Sequence, residues 1–183
     1  MKRKILLLLL IPAVLILVTG CNKKNETDKK QKDNNKATID LFDEKMGIKS
    51  TFTYNKNDNF TDFKKEEGGA SKSMTFRNEN LDVKFEMYYN IMTKTTYETS
   101  QSIRTAQKYY KEYKFGKYEA YAYGEYDDGL YLNILVNDDN DTLNVLFVSI
   151  DRIDNNKEVI VSKVVDEEII QDFFKSMKVK MSK

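Results

Sequence analysis

LDVKFEMYY, residues 81–89, is the stretch that decides the fold. Its odd positions carry Leu, Val, Phe, Met and Tyr, while Asp, Lys and Glu occupy three of the four even positions. A period of two is that of a β-strand, because successive side chains of a strand point to opposite faces. We therefore expect one face of this strand on a core and the other in water, as is typical of antiparallel sheets.

Further strands are predicted on both sides of this stretch. Residues 48–54 alternate in the same way, and residues 74–77 form a short strand after a flexible polar turn within residues 64–73. Residues 143–150 are apolar at nearly every position, which indicates a central strand covered on both faces. The other predicted strands are 118–124, 130–136 and 159–164.

Two main helices accompany these strands. Residues 97–115 are predicted as the longer one, after a capping box at Thr95 and Glu98. Its apolar residues recur at steps of three and four, and they are Ile103, Ala106, Tyr110 and Tyr113. Residues 167–177 form a closing helix capped by Asp166, and its inward residues are Ile170, Phe173, Phe174 and Met177. A single helical turn is predicted within 39–46, so the fold class is α+β: an antiparallel sheet of about six strands flanked by two main helices.

Charge is unevenly distributed along the chain. The formal net charge is +1; residues 2–4 contribute +3 and residues 22–36 contribute a further +3, which leaves −5 for residues 37–183. An acidic domain argues against a nucleic-acid partner, since phosphates require a basic surface. The domain is long enough to bury its own core. It does so without a disulfide, because Cys21 is the only cysteine.

The N-terminal residues have the pattern of an export signal. A basic opening precedes an apolar run at 5–18, which is shorter than the roughly twenty residues that span a bilayer. The run ends in Val18, Thr19, Gly20 and Cys21. This VTGC sequence resembles the lipobox of bacterial lipoproteins, which implies that Cys21 carries diacylglycerol and anchors the mature protein to the extracytoplasmic face of the cell membrane. A retained membrane helix and an unlipidated secreted form are the alternatives.

Three regions follow from this interpretation. Residues 1–20 are the lipoprotein signal peptide, residues 21–37 are the lipidated cysteine and a basic tether, and residues 38–183 are a single α+β domain. Residues 22–36 contain six Lys and no aliphatic or aromatic residue. Such a composition buries too little apolar surface to offset the entropy of ordering, so the tether is predicted to be disordered.

The predicted element order resembles the Mog1/PsbP-like fold. The resemblance is carried by the helix before Tyr118, by the strands of residues 118–150 and by a closing helix that runs into Ser176-Met177-Lys178-Val179. This fold occurs in bacterial lipoproteins and in a photosystem subunit. The aromatic-proline segment that members often carry is missing here, since the only Pro lies in the export signal. The resemblance implies a fold and names no activity.

The sequence offers little for catalysis. It contains no His, which excludes Ser-His-Asp and Cys-His nucleophiles and imidazole zinc sites. We expect no enzymatic activity, no cofactor and no metal. Two acidic turns contain oxygen ligands that Ca²⁺ accepts, namely Glu125/Asp127/Asp128 and Asp138/Asp139/Asp141. Neither matches the twelve-residue calcium loop, and tight hairpins select Asp and Asn by themselves, so turn chemistry is the favoured explanation.

A cluster of tyrosines is the main candidate for a binding surface. If Tyr118 and Ala120 face the core, then Tyr121 and Tyr123 share the opposite face of the strand and meet Tyr131 across it. Together Tyr121, Tyr123 and Tyr131 would form an exposed aromatic patch suited to a peptide, sugar or protein. The favoured alternative is that these rings pack beneath the second helix or reflect β propensity.

A row of basic residues is the second candidate surface. Arg104, Lys108 and Lys111 line up on the predicted longer helix. An anionic polymer or lipid headgroup would fit such a row, and an ordinary solvated helix face is the favoured explanation.

Taken together, these features predict a membrane-anchored, non-catalytic module that binds a protein or peptide partner at the cell surface. One alternative is an immunity-type lipoprotein that sequesters a cationic antimicrobial peptide on its acidic domain. Another is the solute-binding receptor of a transporter, which is disfavoured because such receptors usually need two lobes.

The lipobox interpretation predicts the mass of the mature protein. Wild-type protein from membranes should lack residues 1–20 and carry a diacylglycerol on Cys21, whereas Cys21→Ser should keep residues 1–20 and gain no lipid. Thr19→Ser, which keeps a small polar residue in the lipobox, is the control and should be processed as wild type. Intact mass spectrometry decides the matter, and an unacylated Cys21 in the wild-type protein contradicts the interpretation.

Overall fold

The computed structural model describes residues 35–68, 71–124, 129–139, 142–154 and 159–182. They form two antiparallel β-sheets, three short α-helices and one 3₁₀ turn at Lys56–Asp58, so the broad α+β class is correct, although strands dominate. The helices are α1 (Lys94–Arg104), α2 (Val161–Val164) and α3 (Glu168–Lys175). None of the helices within these ranges is long and apolar enough to cross a membrane.

The larger sheet contains seven strands in the described ranges, in the order β3-β4-β5-β9-β8-β7-β6. Its strands are β3 (Phe60–Gly68), β4 (Ser71–Asn78), β5 (Val83–Thr93), β6 (Tyr109–Phe115), β7 (Tyr118–Gly124), β8 (Gly129–Asp139) and β9 (Thr142–Arg152). The smaller sheet has the order β1-β2-β10. Its strands are β1 (Lys36–Asp43), β2 (Ile48–Asn55) and β10 (Lys178–Met181).

The alternation predicted for residues 81–89 is confirmed from Val83 onward, while Leu81 and Asp82 lie in the turn before strand β5. Val83, Phe85, Met87 and Tyr89 of β5 are at most 1% exposed and belong to the main hydrophobic core. We call this side of the larger sheet the inner face. The core lies between the inner face and the smaller sheet, which contributes Leu41, Ile48 and Phe52. The strands predicted at 48–54, 118–124, 130–136 and 143–150 are also confirmed.

Helix α3 joins the two sheets through the ring of Phe173. The Phe173 ring centroid is 5.0 Å from that of Phe52 on the smaller sheet. It is also 4.8 Å from Phe60 and 5.3 Å from Phe76, both on the larger sheet. Ile170, Phe173, Phe174 and Met177 are all buried, so the predicted inward face of the closing helix is confirmed.

The predicted long helix at 97–115 is wrong. Helix α1 starts at Lys94 and ends at Arg104, and its N-cap is Thr93 instead of Thr95. Residues 109–115 form strand β6, which pairs with β7 across a hairpin turn where Gly116 has φ 63°. The Tyr-rich segment YYKEYKF fits the helical spacing and, in part, the period of two of a strand. It forms a strand because it pairs with β7.

Other predicted elements also need correction. Strand β1 replaces the helical turn expected within 39–46, and β3 and β4 occupy most of the polar segment 64–73 that the sequence assigned to a turn. The strand expected at 159–164 is instead the short helix α2. The larger sheet has seven strands instead of about six, and the smaller sheet was not foreseen.

The expected cap of the closing helix is also wrong. The N-cap of α3 is Glu167, and its side chain makes no capping hydrogen bond. The carboxylate of Asp166 instead accepts hydrogen bonds from Lys111 at 2.6 Å and from the Tyr113 hydroxyl at 3.0 Å. Asp166 therefore ties the loop before α3 to the edge strand β6. The signal peptide, the lipobox and nearly all of the tether fall outside the described residues.

The position of Phe173 predicts a large loss of stability on truncation. Phe173→Ala should lower the free energy of unfolding by about 3–5 kcal/mol, because the cavity would remove packing from both sheets at once. Ile103→Ala is the control, since Ile103 is 62% exposed on α1 and should cost little. Chemical denaturation followed by circular dichroism measures both, and equal losses would show that α3 is not the joint between the sheets.

Candidate functional site

The face of the larger sheet opposite the core, the outer face, is partly covered by helix α1. Tyr97 of α1 is 8% exposed, and its ring centroid is 5.6 Å from that of Tyr121 on β7. A second hydrophobic cluster forms beneath the helix, and its buried members are Tyr97, Tyr121, Tyr123, Leu143 and Val145. This cluster fixes α1 on the sheet.

Beyond α1, the outer face carries two stacked pairs of aromatic rings. The rings of Tyr88 on β5 and Phe147 on β9 have centroids 5.5 Å apart and planes 9° apart. Those of Tyr123 on β7 and Tyr131 on β8 have centroids 5.4 Å apart and planes 27° apart. We call these four residues the aromatic platform. Tyr131 is 52% exposed, Tyr88 and Phe147 are half-buried and Tyr123 is buried, so the platform is open to solvent mainly at Tyr131.

Strand register creates both pairs. Tyr88 lies directly opposite Phe147, and Tyr123 lies directly opposite Tyr131. Opposite residues on one face have Cβ atoms about 5 Å apart, close to the observed separation of the ring centroids. The two rings of each pair therefore stand side by side. Each ring covers one face of its partner.

The three tyrosines predicted to form an exposed patch are not all exposed. Tyr121, Tyr123 and Tyr131 do share the outer face, but Tyr121 is 1% exposed and Tyr123 is 7% exposed. Tyr121 lies beneath α1, the first helix, and not beneath the closing helix. Tyr123 lies at the border and supports Tyr131. Tyr131 is thus the exposed member of the predicted set.

Sequence reasoning missed Tyr88 and Phe147. Tyr88 carries a usable signal, because it is the one aromatic residue at the polar positions of the stretch 81–89. Phe147 carries none, because an apolar residue in the nearly continuous apolar run 143–150 does not reveal which face it takes.

Arg104 closes one end of the platform. Its guanidinium carbon lies 4.7 Å from the centroid of the Tyr123 ring, within the range of a cation–π contact. Burial raises the pKa of Tyr123, and the positive charge of Arg104 opposes that shift. The predicted row of Arg104, Lys108 and Lys111 on one helix is wrong, since α1 ends at Arg104 and Lys111 belongs to strand β6. Lys111 pairs with Asp166.

A separate group of polar atoms is buried inside the domain. Asp43 Oδ2, the Ser50 hydroxyl and the Tyr89 hydroxyl are buried without a hydrogen-bond partner. Burial, with a contribution from the Asp43 charge, raises the pKa of Tyr89. Ca²⁺ takes six to eight oxygen ligands, and one carboxylate with two hydroxyls falls short of that number. Elsewhere in the described ranges, no three His, Cys, Asp or Glu residues gather in a group suited to a metal ion.

The two acidic turns named above lie outside this description. Glu125, Asp127, Asp128 and Asp141 are not among the described residues, nor are the side chains of Asp138 and Asp139. The preference for turn chemistry over calcium binding at these two turns therefore stays a prediction from the sequence.

Comparison with known proteins adds no family to this picture. No protein-family model, no curated protein and no solved structure gives a significant match to the chain. The candidate surface is therefore argued from its own residues.

Burial of Tyr97 predicts a defined response to alkaline pH. Burial, followed by the nearby Tyr121, raises the pKa of Tyr97 above its ordinary value of about 10. The folded state therefore favours the neutral phenol. Its contribution to stability is complete below pH ~10 and is lost as the pH rises above that value.

Tyr97→Phe should therefore lose less stability than wild type between pH 9 and pH 11, by about 1 kcal/mol. The same comparison at pH 7 is the control and should show a much smaller difference. Denaturant unfolding at the three pH values measures both effects. Identical alkaline losses in the two proteins would show that this phenol does not titrate on unfolding.

Proposed function

We propose that this protein is a lipid-anchored, extracytoplasmic binding module that holds a protein or peptide partner close to the membrane and performs no chemistry itself. The observation that carries the proposal is the aromatic platform on the outer face of the larger sheet. It combines an exposed Tyr131 with a buried supporting ring, Tyr123.

The arrangement of the platform suits an interface. Tyrosine offers a large rigid apolar area with a hydroxyl at its tip, and it is enriched among residues that dominate binding energy. Stacking with Tyr123 limits the rotation of Tyr131 before any partner arrives, which lowers the entropic cost of association. The buried cluster under α1 includes Tyr123 and packs against Phe147, which limits the movement of both rings.

The same geometry favours a protein or peptide over a sugar. A sugar ring stacks on an open aromatic face, whereas Tyr88 and Phe147 are nearly parallel and cover one face of each other. Tyr88 and Phe147 are also half-buried, so this pair exposes mainly ring edges and the Tyr88 hydroxyl. These fit the mixed polar and apolar surface of a peptide.

The proposed anchor places the platform near the membrane. Strand β1 starts at Lys36, about fifteen residues after Cys21. A chain of that length spans at most roughly 50 Å when fully extended. The domain would therefore stay within about 50 Å of its anchor, and a partner on the platform within that distance plus the width of the domain.

The resemblance to the Mog1/PsbP-like fold is kept as part of this proposal. It is supported by a central antiparallel sheet with α1 on the outer face and α3 on the side of the core. The length of the first helix differs from the layout that suggested the resemblance. Since this fold hosts unrelated functions, the proposed activity rests on the platform alone.

Site-specific photo-cross-linking in cells that produce the protein tests the proposal. Replacing Tyr131 with benzoylphenylalanine puts a reactive aromatic group at the exposed end of the platform. We expect irradiation to give a defined adduct with a single partner protein or peptide. The adduct should weaken in a Phe147→Ser background, which removes the neighbouring stacked pair.

Met181 provides the matched control. It is 44% exposed on β10 of the smaller sheet, away from the outer face, and the same photo-reactive residue there should not give that adduct. Equal labelling from positions 131 and 181, or no adduct from position 131, would remove the platform as the binding surface.

A further inference from the structure

Strand register places one small residue between Tyr131 and Glu86 on the outer face, and we call the space above that residue the slot. Ser149 on the central strand β9 lies directly opposite Glu86 on β5 and directly opposite Tyr131 on β8. Neighbouring strands are about 4.8 Å apart, so the backbones at positions 86 and 131 are separated by about 10 Å. Serine is the only side chain between them in this row, and it is too small to fill that space.

One wall of the slot is an aromatic face. The ring of Tyr131 stacks on Tyr123, which lies on β7. Its other face is therefore on the side of β9, above Ser149. A half-exposed tyrosine ring with one open face attracts a cation through its quadrupole.

The opposite wall is a carboxylate. Glu86 is half-buried and makes no hydrogen bond or ion pair with the part of the chain that the structure describes. Tyr88 lies close by: burial raises its pKa, and the charges of Glu86 and Tyr131 add to the shift. These three side chains therefore face a common space.

Other charged residues of the outer face lie outside the segment between Glu86 and Tyr131, and Lys64 is two strands from Glu86, opposite Thr75. Arg104 lies over Tyr123, on the far side of the Tyr131 ring. Arg77 pairs with Asp62 at 3.6 Å. Lys84 lies opposite Asp151, one step along the strand from the Glu86 row. The local charge between Tyr131 and Glu86 is therefore negative, in a domain whose formal net charge is −5.

We propose that this slot receives a basic side chain, Lys or Arg, of the partner, which makes the partner a basic protein or peptide segment. The cation would lie between the carboxylate of Glu86 and the ring of Tyr131, within about 6 Å of the ring centroid and about 4 Å of a carboxylate oxygen. This inference rests on the proposed function, because it names the chemistry of the partner that the platform binds.

Binding of decalysine to the full-length lipidated protein in phosphatidylcholine nanodiscs tests the slot. Decaglutamate and decalysine with acetylated Nε atoms are the ligand controls, and empty nanodiscs give the background. We expect decalysine alone to bind. Glu86→Gln and Tyr131→Ser should each weaken it about fivefold, the effect of losing one ion pair or one cation–π contact.

Glu168→Gln separates the slot from the general negative charge. Glu168 lies exposed on α3, away from the outer face, and its substitution changes the net charge by the same amount as Glu86→Gln. It should alter the affinity less than twofold. Equal effects of the two substitutions, no binding of decalysine, or binding of decaglutamate would each overturn the inference. Far-ultraviolet circular dichroism of every variant checks that the sheet is intact.

The two proposals fail in distinguishable ways. A specific adduct from position 131 without slot-dependent binding of decalysine would leave the binding module and remove its preference for a basic partner. Slot-dependent binding of decalysine without an adduct in cells would support the chemistry of the slot and remove the proposed surface partner.

Discussion

Aromatic packing at helix α3 is the interaction on which the rest of the structure depends. Phe173 contacts Phe52 from the smaller sheet and Phe60 and Phe76 from the larger one, with ring centroids between 4.8 and 5.3 Å apart. Phe174 adds a contact to Phe115 on the edge strand β6. Without disulfides, the chain relies on such contacts to hold two sheets together. This packing buries the inner face of the larger sheet in the main core, whereas the outer face lies outside that core.

The outer face is only partly covered because α1 is short. Eleven residues of helix are about 16 Å long, whereas seven strands side by side span roughly 29 Å. The helix therefore shields Tyr121, Leu143 and Val145, while Tyr131 stays exposed. Tyr88 and Phe147 are half-buried. A helix over residues 97–115 would have been about 28 Å long, long enough to cover most of that width. The conversion of its second half into strand β6 is thus what exposes the platform.

The sequence predicts the parts of this fold that have one strong local signal. The strand from Val83 to Tyr89 and the closing helix with Phe173 and Phe174 are correct because the apolar residues that fit their period are buried. Residues 109–115 fit both periods. They form a strand because they pair with β7, where Tyr113 lies opposite Ala120. Short β10 alternates as KVKM, but four residues are too few to establish a strand, and it forms by pairing with β2. Such long-range pairing is not visible in a local pattern.

Local sequence patterns also predicted only part of the candidate surface. Alternation placed Tyr121, Tyr123 and Tyr131 on one face, because strand geometry alone fixes that relation. It could not decide which of them is exposed, since exposure depends on where α1 ends. It also could not bring Ser149 between Glu86 and Tyr131, because these residues belong to three strands whose order in the sheet is not their order in the chain.

The edges of the larger sheet explain why recognition is expected on its face. An open edge strand binds an extended peptide by backbone pairing, and charged residues, Lys above all, discourage it. Edge strand β6 carries Lys111 and Lys114, and edge strand β3 carries Lys64 and Lys65. On β6, the pairing of Lys111 with Asp166 also brings the loop before α3 against the strand. The proposed partner would therefore meet polar, charged edges and, between them, the aromatic platform with the proposed acidic slot.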